Sequence, residues 1–407
     1  MSVSAWRWRS AFEAMRIRNF RWLWLAGLTS AATFQMGMVA QGWLVYELTG
    51  SALILGWVSA GWILATLAFA LYGGVVAERV DKRRIMLWAR GLTLLNTLAI
   101  AVLISIRAIR VWHLVANSIL MGMAMCFAMP AEQAWIADLV DRRTLLNAAA
   151  LFAVGMGIMG IFSAWAAGQI IERVGASGVY YVIAGAYVIA LISIGRLPAS
   201  DVRGGTSGSL WGDLMDGVRY LVHNPLMRAM LMLSIARVLF AMPYRTFMPK
   251  FSSEVMRFEA SGLGLLMAAP GVGALTSSLA VASLGDFRRK GLLLIVSGIL
   301  AGGALVLFAG IHYLPLTLFF LALVGAGENN CMVVTSAMLQ TYADPRYRAR
   351  AMSMLMLVFG LSPAGTLPAG AIADRLGVPL VVGVQGALMV ASFAFVWLWR
   401  PEIRMQE

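Results

Sequence analysis

The chain is a succession of long apolar runs separated by short charged breaks, and this alternation limits its fold more than any motif does. Twelve runs of more than 20 residues can be read, from 21–46 to 378–399. A helix needs about 20 apolar residues to cross the hydrocarbon layer of a bilayer, and only helices and closed barrels satisfy their own backbone there. With 60% hydrophobic and 13% charged residues over 407 positions, no soluble core could hide so much apolar surface. The expected fold class is an all-α membrane protein with twelve transmembrane helices.

Charge sets the expected orientation. The net charge is +13, but the basic residues lie between apolar spans and form no aromatic-interleaved patch, so nucleic acid is not an expected partner. Placing the amino terminus in the cytoplasm puts 24 of the 32 Lys and Arg in loops on that side, Arg90 counted among them with Arg79, Lys82, Arg83 and Arg84. The opposite face then holds Arg107, Arg110, Arg173, Lys250, Arg257 and Arg375. The positive-inside rule and an even span count put both termini in the cytoplasm. The first eighteen residues carry Arg7, Arg9, Arg16 and Arg18 without a short apolar core, so no cleaved signal peptide is expected.

Several chemistries have no residues to carry them. Cys126 and Cys331 lie inside apolar spans, and His113, His223 and His312 are scattered without metal-ligand spacing. No phosphate-binding loop surrounds Lys82, Lys250 or Lys290. Neither an enzyme, a metal nor any other cofactor is expected.

The run from Leu197 to Asn224 interrupts the apolar pattern with Pro198, Asp201, Gly204, Gly205 and Gly208, and reads as a linker. Sliding the chain by 203 residues places Gly122 on Gly325, Met129 on Met332, Asp141 on Asp344, Arg143 on Arg346 and Ala148 on Ala351. Duplicated halves are the simplest account. The expected organisation is two pseudo-symmetric six-helix bundles, 1–196 and 225–407, joined by a cytoplasmic linker at 197–224.

Between the second and third runs lies a basic loop, Gly74 to Arg84, with Glu78 and Asp81 set among Arg79, Lys82, Arg83 and Arg84. Its charges can bridge helix ends at the cytoplasmic surface, or serve as a plain positive-inside turn. The loop resembles the major facilitator superfamily signature Gly-x-Leu-Ala-Asp-Arg-x-Gly-Arg-Arg. Gly74, Ala77, Arg79, Arg83 and Arg84 match it, whereas Asp81 replaces a glycine. The stretches Trp43 to Ala52, Pro130 to Ala134, Asn147-Ala148 and Arg348 to Ser353 are similar to the bacterial exporter branch that includes enterobactin, macrolide and multidrug effluxers. The resemblance implies the major facilitator fold in a bacterial inner membrane. It also implies export of small amphipathic molecules by alternating access around a cavity lined by the first, fourth, seventh and tenth helices.

Two charges lie at that depth. Glu328 is near the middle of the tenth run and Arg237 near the middle of the seventh; intramembrane charge points to function by default. The two are expected to face one cavity and to pair, with protonation of Glu328 releasing Arg237 or the cargo; a static ion pair is the competing use. Arg245 could guide an anionic substrate or snorkel. Gln35, Gln41, Asn117 and Asn329 offer neutral hydrogen bonding to the cavity or to helix packing. Met121, Met125 and Met129 form either an adaptable wall or a packing stripe. Phe34 stands where such exporters commonly carry Asp, and Ser163-Ala164 where antiporters tend to have Gly-Pro, so proton exchange would rest on Glu328. Small residues, among them Gly155, Gly160, Gly273, Gly360 and Gly365, fall on spans expected at the seam between halves. A membrane sensor on the same fold, or a transporter without proton coupling or of inward direction, is the alternative reading.

Overall fold

The computed structural model describes residues 13–141, 144–199, 219, 223–283, 289–344, 352, 355 and 357–399; the side chains of 70–75, 77–79, 137, 146 and 282 are outside that description. Among the described residues there are helices and no strands. After a 3-10 turn at Glu13–Arg16 come α1 (Arg18–Thr49), α2 (Ala52–Arg79), α3 (Lys82–Ser105), α4 (Val111–Leu139), α5 (Leu145–Val174) and α6 (Ala176–Gly195). Then follow α7 (Pro225–Phe240), α8 (Pro243–Lys250), α9 (Ala260–Ser283), α10 (Lys290–Gly310), α11 (Leu314–Tyr342), α12 (Ser362–Leu376) and α13 (Val378–Trp399). Among the described residues, eleven helical spans are long and apolar enough to cross a membrane. The remaining expected span, 349–373, is described mainly through α12.

Two expectations change. The Gly74–Arg84 stretch is scarcely a loop: α2 runs to Arg79 and α3 starts at Lys82. Asp81 makes this short break possible, because its carboxylate accepts the Arg83 amide at 3.1 Å and caps α3. The seventh span, expected as one run over 226–250, is broken into α7 and α8 and then continues as a π-helix at Phe251–Val255. Pro243 opens α8 without an amide proton to give.

The remaining turns are as tight as the sequence allows. Gly175 alone separates α5 from α6, and Gly377 alone separates α12 from α13, at φ 83° and 87°. Only a residue without Cβ takes that conformation cheaply.

The chain forms two compact units, Met1–Leu44 with Leu64–Thr206 and Val45–Ile63 with Ser207–Glu407. The first half of α2 therefore belongs to the second unit. In the first unit, Phe20, Leu23, Met86, Ala131, Trp135 and Ile194 form a buried cluster. Along α3 the inward face carries Ala89, Thr93, Thr97 and Ala101, whereas Trp88, Leu92 and Leu95 are exposed. Small and hydroxyl-bearing residues inside with bulky apolar ones outside is the pattern of a helix surrounded by lipid.

In the second unit α11 lies against both α9 and α10. A Cβ on Gly273 would strike the Ala322 carbonyl, and one on Gly325 the Pro270 carbonyl. Gly365 is similarly close to the Leu239 backbone, and in the first unit Gly155 faces Trp24 and Leu28. Each of these contacts joins helices of one unit. Gly273→Ala and Gly325→Ala should each cost about 1–3 kcal/mol by overpacking. Gly303→Ala and Gly185→Ala, with nothing within 4 Å, should be neutral or slightly stabilising. Thermal unfolding of the purified protein in detergent separates the two groups.

Candidate functional site

The break in the seventh span sets up the central charges. The Arg237 carbonyl accepts the amides of both Ala241 and Met242, at 2.8 and 3.3 Å, where α7 ends. Arg237 and Arg245 thus stand on either side of the interruption. Discontinuous helices are where transporters of repeat architecture commonly bind substrates and ions.

Glu328 is fourteen residues from each end of α11 and only 5% exposed. The close approach of Gly325 and Gly327 to the Pro270 and Ser297 backbones holds this part of α11 in place. Its Oε2 accepts a hydrogen bond from Arg245 Nη2 at 2.7 Å. The expected partner was Arg237, and the structure replaces it with Arg245. That expectation rested on depth; the break at Ala241–Met242 resets the direction of every residue beyond it. Arg237 stays within electrostatic range of Glu328, but its guanidinium rests over the Phe359 ring, 5.2 Å from the centroid. Glu328 Oε1, Tyr244 OH and Asn330 Oδ1 are buried without a hydrogen-bond partner among the described residues.

The energetics favour keeping this group together. A mid-bilayer charge costs at least about 2.5 kcal/mol, and removing one member of a buried pair typically costs about 3–5 kcal/mol.

Other candidate residues serve packing. Asn329 donates to Ser278 Oγ at 2.9 Å and to Ser277 Oγ and the Ala274 carbonyl at 3.3 Å, tying α11 to α9. Asn117 is 3% exposed. It donates to Gln41 Oε1 at 2.5 Å and accepts from Asn96 at 2.6 Å, while Gln41 donates to Ser118 at 2.7 Å. These bonds knit α1, α3 and α4 together and occupy the polar atoms expected to face a cavity. Met121 accepts the Tyr187 hydroxyl at 3.8 Å. Gln35 and Met125 are half-buried and Met129 is exposed.

One intramembrane pair was not anticipated. Arg90 and Glu132 meet at 3.5 Å with side chains 14% and 13% exposed. Arg90 was expected among the loop cations because it follows the basic stretch. It lies eight residues inside α3, about 12 Å from Lys82 along the axis.

At the start of α3 in the first unit, Lys82 pairs with Asp138 at 2.7 Å. Arg83 donates to the Gly195 carbonyl at the end of α6, where a cation meets free carbonyls and the negative end of the helix dipole. Arg84 is exposed. Gly74, Glu78 and Arg79 lie in α2, and their side chains are outside the described residues.

A second cluster joins α2, α8 and α12 inside the second unit. Asp374 Oδ1 accepts the Ala52 amide and Lys250 Nζ, each at 2.7 Å. Its Oδ2 accepts the Leu53 amide at 3.1 Å and the Ser51 hydroxyl at 2.5 Å. Lys250 also donates to the Gly50 carbonyl at 3.1 Å, and Tyr46 reaches Glu254 at 3.4 Å. A carboxylate at a helix N-terminus satisfies orphan amides and opposes the dipole. Gly370 lets α12 come close to the Ala52 and Leu53 backbone, and Gly50 takes φ 62° to make the turn. The sequence around Tyr46 to Ala52, noticed only as a resemblance, therefore has a structural purpose.

Burial acts to raise the Asp374 carboxyl, but Lys250, Ser51 and the two amides outweigh it and hold the group at about 2. A carboxyl lowered in this way stabilises the fold above its ordinary titration range and loses that effect only as pH falls towards 2. The carboxylate is therefore charged across the physiological pH range.

A helical membrane protein with an ion pair at the middle of its spans, beside a broken helix, has the features of a secondary transporter. Residues 9–405 match the family described as transmembrane secretion effector, and the chain belongs to that family of major facilitator transporters. It is 24% identical over 363 residues to the multidrug efflux pump Tap of Mycolicibacterium fortuitum, covering 86% of this chain and 88% of Tap. It is 25% identical over 402 residues to the enterobactin exporter EntS of Shigella boydii, covering 96% and 88%. The crystal structure of the nucleoside transporter NupG shares the fold, with a TM-score of 0.75 at 14% identity over 94% of this chain and 99% of that one.

Asp374→Ala should speed hydrogen–deuterium exchange at the Ala52 and Leu53 amides by at least about tenfold, since bonds to a charged acceptor are worth about 1.5–3 kcal/mol. Arg375→Ala, at an exposed neighbour, should not. After correction for intrinsic rates, wild-type protection at these amides should be equal at pH 7 and pH 5.

Proposed function

We propose that the protein exports small amphipathic molecules from the bacterial cytoplasm by alternating access, with both termini on the cytoplasmic side of the inner membrane and proton exchange at Glu328. The observation that carries the reading is the Glu328–Arg245 bond at 2.7 Å in the middle of the spans. The exporters among its relatives support the direction.

Ionised, Glu328 holds Arg245. A proton from outside neutralises the carboxylate, removes the charge-assisted bond and frees the guanidinium; loss of the proton to the cytoplasm restores the pair. The sequence halves 1–196 and 225–407 are the moving bodies. The start of α2 comes from the first half but is tied to Lys250 and Asp374 of the second. This clasp must part when the outer side opens. Its carboxylate is held low by its four donors, so it is a poor acceptor for the coupling proton.

In proteoliposomes under an imposed pH gradient, tested with dyes, macrolides and siderophores, Glu328→Gln should lower gradient-driven transport at least about tenfold. Arg245→Gln should also impair it. Adding Glu328→Gln to Arg245→Gln should restore part of the activity, because it removes the stranded carboxylate. Unchanged gradient-driven transport in Glu328→Gln would favour a transporter without proton coupling at this residue.

A further inference from the structure

The charges inside the spans do not balance. In the first unit Arg90 faces Glu132. In the second, Arg245 takes Glu328, and Arg237 is left as the excess cation. Its guanidinium makes no hydrogen bond or ion pair among the described residues, and it rests over the Phe359 ring. Twelve residues separate it from the start of α7, about 18 Å along the axis, so it is well inside the hydrocarbon layer. Lipid offers such a group nothing. A ring beneath a guanidinium favours the cation while leaving its edge, where the five N–H donors lie, open to an acceptor.

Glu328 supplies one negative charge against the two arginines. Its Oε2 is engaged by Arg245 and its Oε1 is buried without a partner, although Arg237 is close enough to sense the charge. A second negative charge beside Arg237 would neutralise the centre. We propose that the transported molecules carry that charge: the substrate class is an amphipathic organic anion, whose carboxylate or phenolate binds the Arg237 guanidinium. This deepens the export reading of the same site and rests on it. Planar guanidinium geometry suits a two-oxygen acceptor.

Fluorescein, an anion, and rhodamine 123, a cation with the same xanthene frame, are suitable probes. With purified full-length protein in proteoliposomes and the membrane potential held at zero, wild type should move fluorescein at least tenfold faster than rhodamine 123. Arg237→Gln should abolish that preference and Arg237→Lys should keep part of it. Fluorescence anisotropy in detergent should find fluorescein bound at least tenfold more tightly by wild type than by Arg237→Gln, with thermal unfolding checking that the variant is folded. Rhodamine 123 moved as fast as fluorescein, or faster, would overturn the anion assignment and leave export standing. Arg237-dependent binding of fluorescein without movement of either dye would do the reverse. Absence of fluorescein binding, or equal binding by a folded Arg237→Gln variant, would overturn the proposal.

Discussion

Hydrocarbon solvates no charge, and the interior of this protein is arranged around that constraint. Arg90 and Glu132 neutralise each other in the first unit, as Arg245 and Glu328 do in the second. The backbone obeys the same rule. Where the seventh span breaks, one carbonyl serves two amides; where α2 begins, Asp374 supplies acceptors that the helix lacks. A transporter that changes shape must exchange such bonds one for another, since losing them outright would strand polar groups in lipid.

Close packing gives these bonds their geometry. Glu328 can meet Arg245 because glycines at 325 and 327 bring α11 against its neighbours with no side chain between the backbones. Asp374 can reach the start of α2 because Gly370 removes a Cβ from the contact. Amide side chains then fasten helices that the hydrophobic effect cannot hold together in lipid: Asn329 onto α9, and Asn117 between Gln41 and Asn96. The same bonds explain why neutral polar residues on inner spans need not face a substrate.

The spans were legible because each is a single long apolar run, and Glu328 was legible because no charge sits at such depth without cause. Its partner was not. Depth favoured Arg237 over Arg245, and the outcome depends on a helix break that Pro243 hints at but does not locate. Arg90 was misread as a loop residue because a run of cations extends into the first turns of α3. Asp374 drew no notice at the end of a span; its four donors come from α8 and from residues 51–53, more than 100 positions away in either case.

By itself the sequence determined that this chain must be a bundle of membrane-spanning helices and roughly where they start and stop, because those properties depend on local apolarity. It also marked Arg237 and Glu328 as charges in need of a reason. Only the tertiary structure decided which cation Glu328 holds, that the basic stretch before Arg84 is mostly helix, and that the Tyr46–Ala52 segment docks through Lys250 and Asp374. Partnership depends on distances between residues far apart in the chain, and neither composition nor periodicity encodes those distances.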